Sequence, residues 1–400
     1  MSKPLIYRAT FRNYKSIALC KVDLRPLMFL VGPNGAGKSN FLDAFGFVSD
    51  SLNLSLDHAL RERGTIKEVR HKSGGHPNNF SIHLDFSTSS QERGHYGFEI
   101  TARSGGGYSV RSEVCQLFPK DALKPAQFYK VKEGEIVESS VRTLPAVLRD
   151  RLLLVGASGF PEFRPVFDAL SQMEIYNLNP HEIARMQQPD PGDVLWSDGG
   201  NSASVLRQLP REVQAKINQH MSRIVPGISA VEPRTFGYQE TIEFFQNVAG
   251  QKDPWRFPAT AMSDGTLRAV GMLLAVFQFA TEGGGRQGPR LIGLEEPEMA
   301  LHPAAVGILL AALREATRYC QILLTSHSPD LLDDPDIPVE SLLAADAEDG
   351  VTRIGPIDEA GREMLQRRLF TAGELLRKNQ LARERRDQTR QRRAPTTDLL

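Results

Sequence analysis

The segment Gly32-Pro33-Asn34-Gly35-Ala36-Gly37-Lys38-Ser39 fits the phosphate-binding pattern G-x-x-x-x-G-K-[ST]. Before it, Leu27–Val31 is a short apolar run that is typical of a buried strand. After it, residues 39–48 carry apolar side chains at helical spacing. Strand, glycine-rich turn and helix form the context that this motif requires, so we predict that the chain binds a nucleoside triphosphate.

The residue types in this segment explain the chemistry. Glycines let the backbone turn so that several N–H groups point at one anion, with the positive end of a helix behind them. Lys38 supplies a mobile positive charge for the β- and γ-phosphates, and the Ser39 hydroxyl is suited to ligate Mg²⁺.

Composition narrows the class of protein. The chain has 400 residues, of which 40% are hydrophobic and 24% charged, as in a globular protein with a full core. Its net charge is zero, so binding of nucleic acid would require a local basic patch. Three distant cysteines favour a reducing compartment without disulfides or a zinc site. No signal peptide or membrane-spanning stretch is apparent, so we expect a cytoplasmic protein without a membrane partner.

The first third of the chain favours antiparallel strands around the phosphate-binding segment. Residues 50–78 are polar and predict an exposed connection. His71, His76 and His83 lack the close spacing of metal ligands and are predicted to be surface histidines. Gly105–Gly107 separates two apolar runs and indicates a hairpin turn. The strands predicted here are Leu5–Phe11, Ile17–Val22, Phe80–Phe86, Tyr96–Ala102 and Tyr108–Phe118.

The middle of the chain reads as a helical and loop insertion. Residues 202–225 predict an amphipathic helix that is kinked or restarted at Pro210, far too short for a long coiled coil. Ser263 is placed to cap a long apolar helix, Leu267–Phe279. The other predictions are a helix at Pro161–Ser171, strands at Met173–Leu178 and Tyr238–Phe245, a loop at Pro180–Gly200, a loop that holds Trp255 and a surface turn at Gly283–Gly285.

In the last third of the chain, two predicted apolar strands are followed directly by acidic or histidine side chains that are suited to catalysis. Leu291–Leu294 runs directly into Glu295 and Glu296, and residues 321–326 run into His327. In α/β folds the reactive groups gather at the carboxyl ends of parallel strands. We therefore expect Glu295 to hold the Mg²⁺ shell, Glu296 to polarise the attacking water and His327 to sense the γ-phosphate.

The order of these motifs resembles the ABC-type ATPase heads of the RecF, structural-maintenance-of-chromosomes (SMC) and OLD (overcoming lysogenisation defect) families, over residues 5–335. Phe11–Ser16 is similar to the N-terminal turn of these families. Ser263-Asp264-Gly265 stands where their signature begins, and Glu298–Pro303 stands where their D-loop lies. The resemblance implies a P-loop NTPase fold of class α/β, with a mixed or parallel core sheet, an antiparallel meander and a helical insertion at about 120–235.

The resemblance also implies a mechanism. Two ATP–Mg²⁺ would be clamped between two chains, each site borrowing Ser263 from the partner, and one copy of each motif predicts a symmetric homodimer. The catalytic residues would be Glu296, His327 and Lys38, and the magnesium ligands Ser39 and Glu295. The nucleotide-binding residues would be Gly32, Pro33, Asn34, Gly35, Ala36, Gly37, Lys38, Ser39, Asn40, Ser263, Asp264 and Gly265.

Two departures from the family pattern stand out. Glu295 replaces the usual aspartate, in an EEPE form common in the OLD-like branch. The Q-loop of these families would lie near Tyr176–Pro180, where no glutamine occurs. A fused Toprim nuclease is not expected in the residues that follow His327, and Asp333, Asp334 and Asp336 beside two prolines favour a loop over a metal site.

The chain after residue 335 predicts a C-terminal extension, 336–400, following a head domain at 1–335. Leu365–Leu381 is amphipathic and suited to dock on the head or on a partner. Arg377–Arg393 is rich in arginine, and two interpretations are equally supported. The stretch binds the phosphates of DNA or RNA, or it is a solvated tail.

Several functions fit these predictions. The first is an ATPase that controls a separately encoded effector, a nuclease, in an anti-phage or DNA-damage module. The second is a RecF-like DNA-binding ATPase in repair, and the third is a nucleotide-gated scaffold with incidental hydrolysis. A transporter motor fits less well, because the signature is SDGT and not LSGGQ.

Overall fold

The structure is a computed structural model of the chain, and it describes residues 5–72, 77–88, 90–120, 122–280 and 290–384. The described residues divide into two units. The phosphate-loop unit comprises residues 5–25, 30–172 and 337–384, and the acid-pair unit comprises residues 26–29 and 173–336, each with the gaps just given. The strand that leads into the phosphate loop is where the division falls.

The phosphate-loop unit is built on a mainly antiparallel sheet with the strand order β8-β7-β6-β5-β4-β1-β2-β16-β15. Phe80–Phe86 and the hairpin around Gly105–Gly107 were predicted and are confirmed, because regular alternation places one face of each strand in the core. The strands of this unit are β1 Ile6–Tyr14, β2 Ile17–Asp23, β4 Asn79–Ser87, β5 Arg93–Ala102, β6 Tyr108–Phe118, β7 Gln127–Lys132, β8 Glu135–Ser139, β15 Leu342–Glu348 and β16 Val351–Pro356. The division between the two units falls within β3, Leu27–Val31.

The first helix of the phosphate-loop unit, α1 Lys38–Asn53, packs on β1 through aromatic side chains. Phe11 of β1 meets Phe41 and Phe45 edge to face, with ring centroids 5.5 Å and 5.3 Å away. These contacts hold α1 against β1. The helices are α1 Lys38–Asn53, α2 Leu56–Glu62, α3 Ile66–Val69, α4 Leu153–Ala157, α5 Arg164–Leu170, α11 Glu359–Gln366 and α12 Ala372–Arg377.

The acid-pair unit contains a parallel set of strands in the order β14-β13-β9 and a separate antiparallel sheet β10-β11-β12. The helix predicted over 202–225 restarts at Pro210, as expected for a residue that cannot donate within a helix. Its strands are β9 Met173–Tyr176, β10 Ile228–Phe236, β11 Gln239–Gln246, β12 Trp255–Pro258, β13 Leu291–Glu295 and β14 Gln321–Ser326, and its helices are α6 Pro180–Ala184, α7 Ser202–Gln208, α8 Arg211–Ile224, α9 Asp264–Phe277 and α10 Pro303–Ala316.

Several local predictions were wrong. The exposed connection expected at 50–78 contains the end of α1, all of α2 and α3, and a buried histidine. His71 is only 5% exposed, and its Nδ1 lies 2.8 Å from the carbonyl oxygen of Lys15, so it is not a surface histidine. His83 is partly buried, and His76 lies outside the described residues. The loop expected at Pro180–Gly200 begins with α6, and Trp255 begins a strand.

The C-terminal region contributes strands and short helices. β15 and β16, from within the predicted extension, belong to the sheet of the phosphate-loop unit, and β16 runs parallel to β2. Leu365–Leu381 is not one amphipathic helix, since α11 ends at Gln366 and α12 begins at Ala372. Of the arginine-rich tail, residues from 385 onward, including Arg385, Arg386, Arg390, Arg392 and Arg393, lie outside the described residues, as does the turn predicted at Gly283–Gly285.

Candidate active site

The phosphate loop of the phosphate-loop unit has the backbone that anion binding requires. Gly35 and Gly37 adopt φ values of 78° and 86°, a left-handed conformation that side chains disfavour. The 16-residue helix α1 begins directly after Gly37, and no side chain of residues 5–72 or of the other described ranges caps its N-terminus. The first N–H groups of α1 therefore form an electropositive end beside the loop.

Lys38 is held inside this loop. Its side chain is only 6% exposed, and Nζ donates to the carbonyl oxygens of Gly32 at 2.8 Å and Pro33 at 3.0 Å. A lysine is rarely buried unless its charge is compensated, and here loop carbonyls contribute part of that compensation. The ammonium group is thus positioned at the loop, where phosphate oxygens would be stronger acceptors than neutral carbonyls.

Asp43, on the second turn of α1, anchors the helix to the N-terminal turn. Its carboxylate accepts from the Tyr14 hydroxyl at 2.7 Å and from Arg63 Nε at 2.7 Å, and it pairs with Lys15 Nζ at 2.5 Å. Burial raises the pKa of Asp43, but the positive charges of Arg63 and Lys15 outweigh burial, and the pKa lies below its usual value. This cluster fixes the position of α1 behind the phosphate loop.

In the acid-pair unit, β13 and β14 are parallel neighbours whose register pairs Glu295 with Thr325. Glu296 directly follows β13 and His327 directly follows β14, so both residues leave the sheet at the same edge. Glu296 adopts φ 44°, which turns its chain out of the strand, and its backbone N–H donates to the Thr325 carbonyl at 3.2 Å. His327 Nδ1 lies 2.9 Å from Glu296 Oε1. The structure thus brings together two side chains that the sequence identifies separately as candidate site residues.

Glu298, two residues after Glu296, contacts the end of β14. It is only 7% exposed, and its Oε1 accepts from the Ser326 hydroxyl at 2.5 Å. Burial raises the pKa of Glu298, and the hydrogen bond from Ser326 lowers it by less, so the pKa is higher than usual. Its second oxygen is buried without a hydrogen-bond partner among the described residues. The hydrogen bond between Ser326 and Glu298 therefore connects the segment after β13 to the end of β14.

The predicted signature segment begins α9. Ser263 and Asp264 are exposed, and the Ser263 hydroxyl accepts from the Thr266 backbone N–H at 3.4 Å, so the predicted cap is present. Gly265 is buried, and a Cβ at this position would overlap the carbonyl oxygen of Ala300. The signature segment therefore packs on the segment that follows Glu298 and leaves Ser263 facing outward.

Sequence reasoning missed one residue beside the acids. The parallel register of β9 and β13 pairs Tyr176 with Leu294, so the next residue, Asn177, follows its strand at the level of Glu295. Asn177 is exposed and carries a side-chain amide. The family pattern predicts a glutamine between Tyr176 and Pro180, so Asn177 does not match it. The strand register is the signal that identifies it.

The predicted residues thus fall into two groups. Gly32–Asn40 form one group in the phosphate-loop unit, with the side-chain amide of Asn40 donating to Ser16 Oγ at 2.6 Å. Glu295, Glu296 and His327, together with Ser263–Gly265, lie in the acid-pair unit. These residue types suit ATP, because the buried Lys38 ammonium and the N-terminus of α1 both attract phosphate. They also suit Mg²⁺, because the Ser39 hydroxyl and the Glu295 carboxylate are oxygen ligands of the kind that Mg²⁺ binds.

Within the described ranges, His, Cys, Asp and Glu side chains form no cluster of three or more that could hold a metal ion, and Asp334 instead pairs with Arg314 at 2.7 Å. Residues 333–336 form a loop, as predicted. None of the helices that the structure describes is both long and apolar enough to cross a bilayer.

Comparison with solved structures supports the fold. The chain is similar to an SMC head bound to the C-winged helix domain of ScpA, with a TM-score of 0.56, 13% identity, and 90% of this chain and 100% of that chain covered. It is also similar to an SMC head with an extended coiled coil, bound to the C-terminal domain of ScpA derived from Pyrococcus furiosus, with a TM-score of 0.54, 11% identity, and 92% and 99% covered. The predicted α/β fold of the ABC-type head is confirmed.

Comparison with curated proteins returned no match. One protein family matches residues 27–133 and 163–333, which span both the phosphate loop and the acids. The family and the structures together confirm the resemblance to ATPase heads of the SMC and RecF branch. Since the match covers well over half of the 400 residues, the chain belongs to the family described as "AAA domain, putative AbiEii toxin, Type IV TA system".

Proposed function

We propose that the protein binds and hydrolyses ATP, with Glu296 as the residue that polarises the attacking water. The observation that carries this proposal is the contact between Glu296 and His327 at the ends of adjacent parallel strands, 2.9 Å apart. A carboxylate held by an imidazole at this edge is suited to accept a proton from water. Membership in an ATPase family supports the same conclusion.

The other predicted residues take supporting roles in this proposal. Lys38 neutralises and positions the phosphates, and His327 holds Glu296 and senses the terminal phosphate. Ser39 and Glu295 would hold Mg²⁺, which when bound neutralises phosphate charge. Asn177, at the level of Glu295, orients water or the Mg²⁺ shell with its side-chain amide.

Two chains form the working unit in this proposal. The chain carries one signature segment, and Ser263 and Asp264 at its start are exposed, where they can reach a second copy. An isologous pair would use both copies of each motif and close on itself, as expected for a symmetric homodimer. ATP would join the two copies, and hydrolysis would release them.

The Glu296→Gln variant tests the catalytic assignment. We expect ATP turnover to fall by at least about 100-fold, the usual contribution of a general base, while ATP still binds. Glu359→Gln, at an exposed position on α11, is the matched control and should keep full turnover. Turnover of Glu296→Gln near the wild-type rate would refute the role of Glu296.

We further propose that the ATPase controls a separately encoded effector, a nuclease, in an anti-phage or DNA-damage module in the cytoplasm. The family description links its members to toxin–antitoxin systems, in which two components act together. The SMC heads of similar fold were solved with domains of ScpA bound. Co-purification of the native complex, followed by identification of its components, tests this proposal, and an ATPase that always purifies without a partner argues against it.

A RecF-like DNA-binding ATPase is the second candidate, and a nucleotide-gated scaffold is the third. The observation that favours the second is the arginine-rich stretch Arg377–Arg393. DNA binding through this stretch would weaken steeply with salt and would decline when residues 385–400 are removed. DNA affinity that does not change on removal would exclude the stretch as the contact. ATP turnover too slow to separate the two copies of the dimer would favour the nucleotide-gated scaffold.

A further inference from the structure

The phosphate loop packs on the hairpin formed by β15 and β16. In the sequence this hairpin lies after residue 335, the predicted end of the head domain. A Cβ at Gly32 would overlap the carbonyl oxygen of Ala345 on β15. A Cβ at Gly37 would overlap Oγ1 of Thr352 on β16. Both glycine ends of the loop therefore rest directly on this hairpin, with no space for a side chain between them.

A chain of hydrogen bonds joins the hairpin to the first turn of α1. Asn40 Nδ2 donates to Ser16 Oγ at 2.6 Å, and Ser16 Oγ lies 2.7 Å from Thr352 Oγ1. Because Ser16 Oγ accepts from Asn40, its own hydrogen is available to Thr352 Oγ1. The backbone N–H of Thr352 also donates to the Ser16 carbonyl at 2.8 Å.

This chain is well placed to control the loop. Thr352 is only 1% exposed, so its hydroxyl needs a protein partner, and Ser16 is the one at hand. Asn40 follows Ser39 directly, and Lys38 begins the same helical turn. Moving the hydroxyl of Ser16 or Thr352 would therefore shift the turn that presents both the ammonium and the predicted magnesium ligand.

We propose that the hairpin β15–β16 sets the conformation of the phosphate loop through Asn40, Ser16 and Thr352, and that Ser16 and Thr352 are positioning residues for nucleotide binding. This inference rests on the proposed function of the loop. Neither residue touches the nucleotide in the proposal; both act through Gly37 and Asn40. The C-terminal hairpin is then part of the nucleotide site and not an appendage to it.

Substitutions that change only the hydroxyl test the proposal in the full chain. Thr352→Val keeps the shape of the side chain and removes its hydroxyl, whereas Thr352→Ser keeps the hydroxyl. Affinity for ATP with Mg²⁺ should fall roughly tenfold in Thr352→Val, the effect of about one lost hydrogen bond, and return to within about twofold of wild type in Thr352→Ser. Ser16→Ala should weaken binding in the same way, and its combination with Thr352→Val should add little further.

Thr241→Val is the matched control. Thr241 lies on β11 in the acid-pair unit and is also 1% exposed, and its hydroxyl has no hydrogen-bond partner within the described part of the chain. Its removal should leave ATP affinity unchanged. Unchanged affinity in Thr352→Val would overturn the proposal. Equal weakening in Thr352→Val and Thr352→Ser would also overturn it, because the hydroxyl would then not be responsible.

Hydrogen exchange of residues 32–40 without nucleotide separates this inference from the proposed function. Exchange should be faster in Thr352→Val than in wild type and in Thr241→Val, because the loop has lost its anchor. If wild type fails to bind ATP, the proposed function fails, and faster exchange still supports the anchor. Equal exchange in all three proteins overturns the anchor whether or not ATP binds.

Discussion

At the scale of single residues, Lys38 carries the largest expected effect on nucleotide binding. Its ammonium is buried against the carbonyl oxygens of Gly32 and Pro33, so Lys38→Ala removes a positioned charge and not a mobile surface group. We expect ATP affinity to fall about 100-fold, measured by calorimetry, because a charged hydrogen-bonding group is lost. Lys67→Ala, at an exposed position on α3, is the control. Tight binding by Lys38→Ala would place the nucleotide elsewhere.

Asp43 makes a second residue-scale prediction, about stability and pH. Its lowered pKa means that the carboxylate stabilises the folded state above the unfolded pKa, and that this contribution is lost as the pH falls through the lower folded value. The free energy of unfolding should therefore drop in acid, below about pH 4. In Asp43→Asn we expect lower stability at pH 7 and a flatter acid limb, measured by urea unfolding. An acid limb identical to that of wild type would contradict the assignment.

At the scale of elements, α9 contains a glycine that packing requires. Gly265→Ala would place a Cβ against the carbonyl oxygen of Ala300, so the start of the helix or the segment after β13 must move. We expect lower thermal stability and loss of ATP turnover. Gly307→Ala, within α10, meets none of the described atoms within 4 Å apart from the backbone of its own helix, and should raise the free energy of unfolding by about 0.5–1 kcal/mol. Equal stability of the two variants would contradict the packing argument.

Ser263 caps α9, and in the proposed dimer it would also face the partner's nucleotide, so the observed role and the proposed role can be tested separately. Aspartate is also a good N-cap, so Ser263→Asp should keep the cap of α9 and the melting temperature. Its charge would face the phosphates bound by the partner copy, so ATP-dependent association should disappear. Ser263→Ala should cost about 1 kcal/mol of stability, as should Thr371→Ala at the cap of α12. Association of Ser263→Asp with ATP would show that Ser263 does not face the partner's nucleotide.

The same elements show how far sequence reasoning reaches. Regular patterns were sufficient for β4, the β5–β6 hairpin and α9, because one buried face repeats along the element. They failed for α2 and α3, which are short and polar and whose stability depends on tertiary contacts. The burial of His71 depends on the Lys15 carbonyl, 56 positions away. Local sequence carries no signal for such a contact.

The candidate site divides in the same way. The residue types of Gly32–Ser39 and of Glu295–Glu296 carry their chemistry in the sequence, so these were identified directly. Asn177 required the strand register, and Thr352 required the packing of a hairpin against Gly37. Neither has a motif of its own. Their assignment therefore depends on the fold.

At the scale of the whole molecule, the central claim is that two copies of the chain join around ATP. Sedimentation of Glu296→Gln with ATP and Mg²⁺ tests this claim most directly, because blocked turnover should hold the copies together. We predict a species of twice the mass of the chain that forms only with nucleotide and is absent in the Lys38→Ala, Glu296→Gln double variant. A single-chain mass at every ATP concentration, with ATP shown to be bound, would contradict the claim.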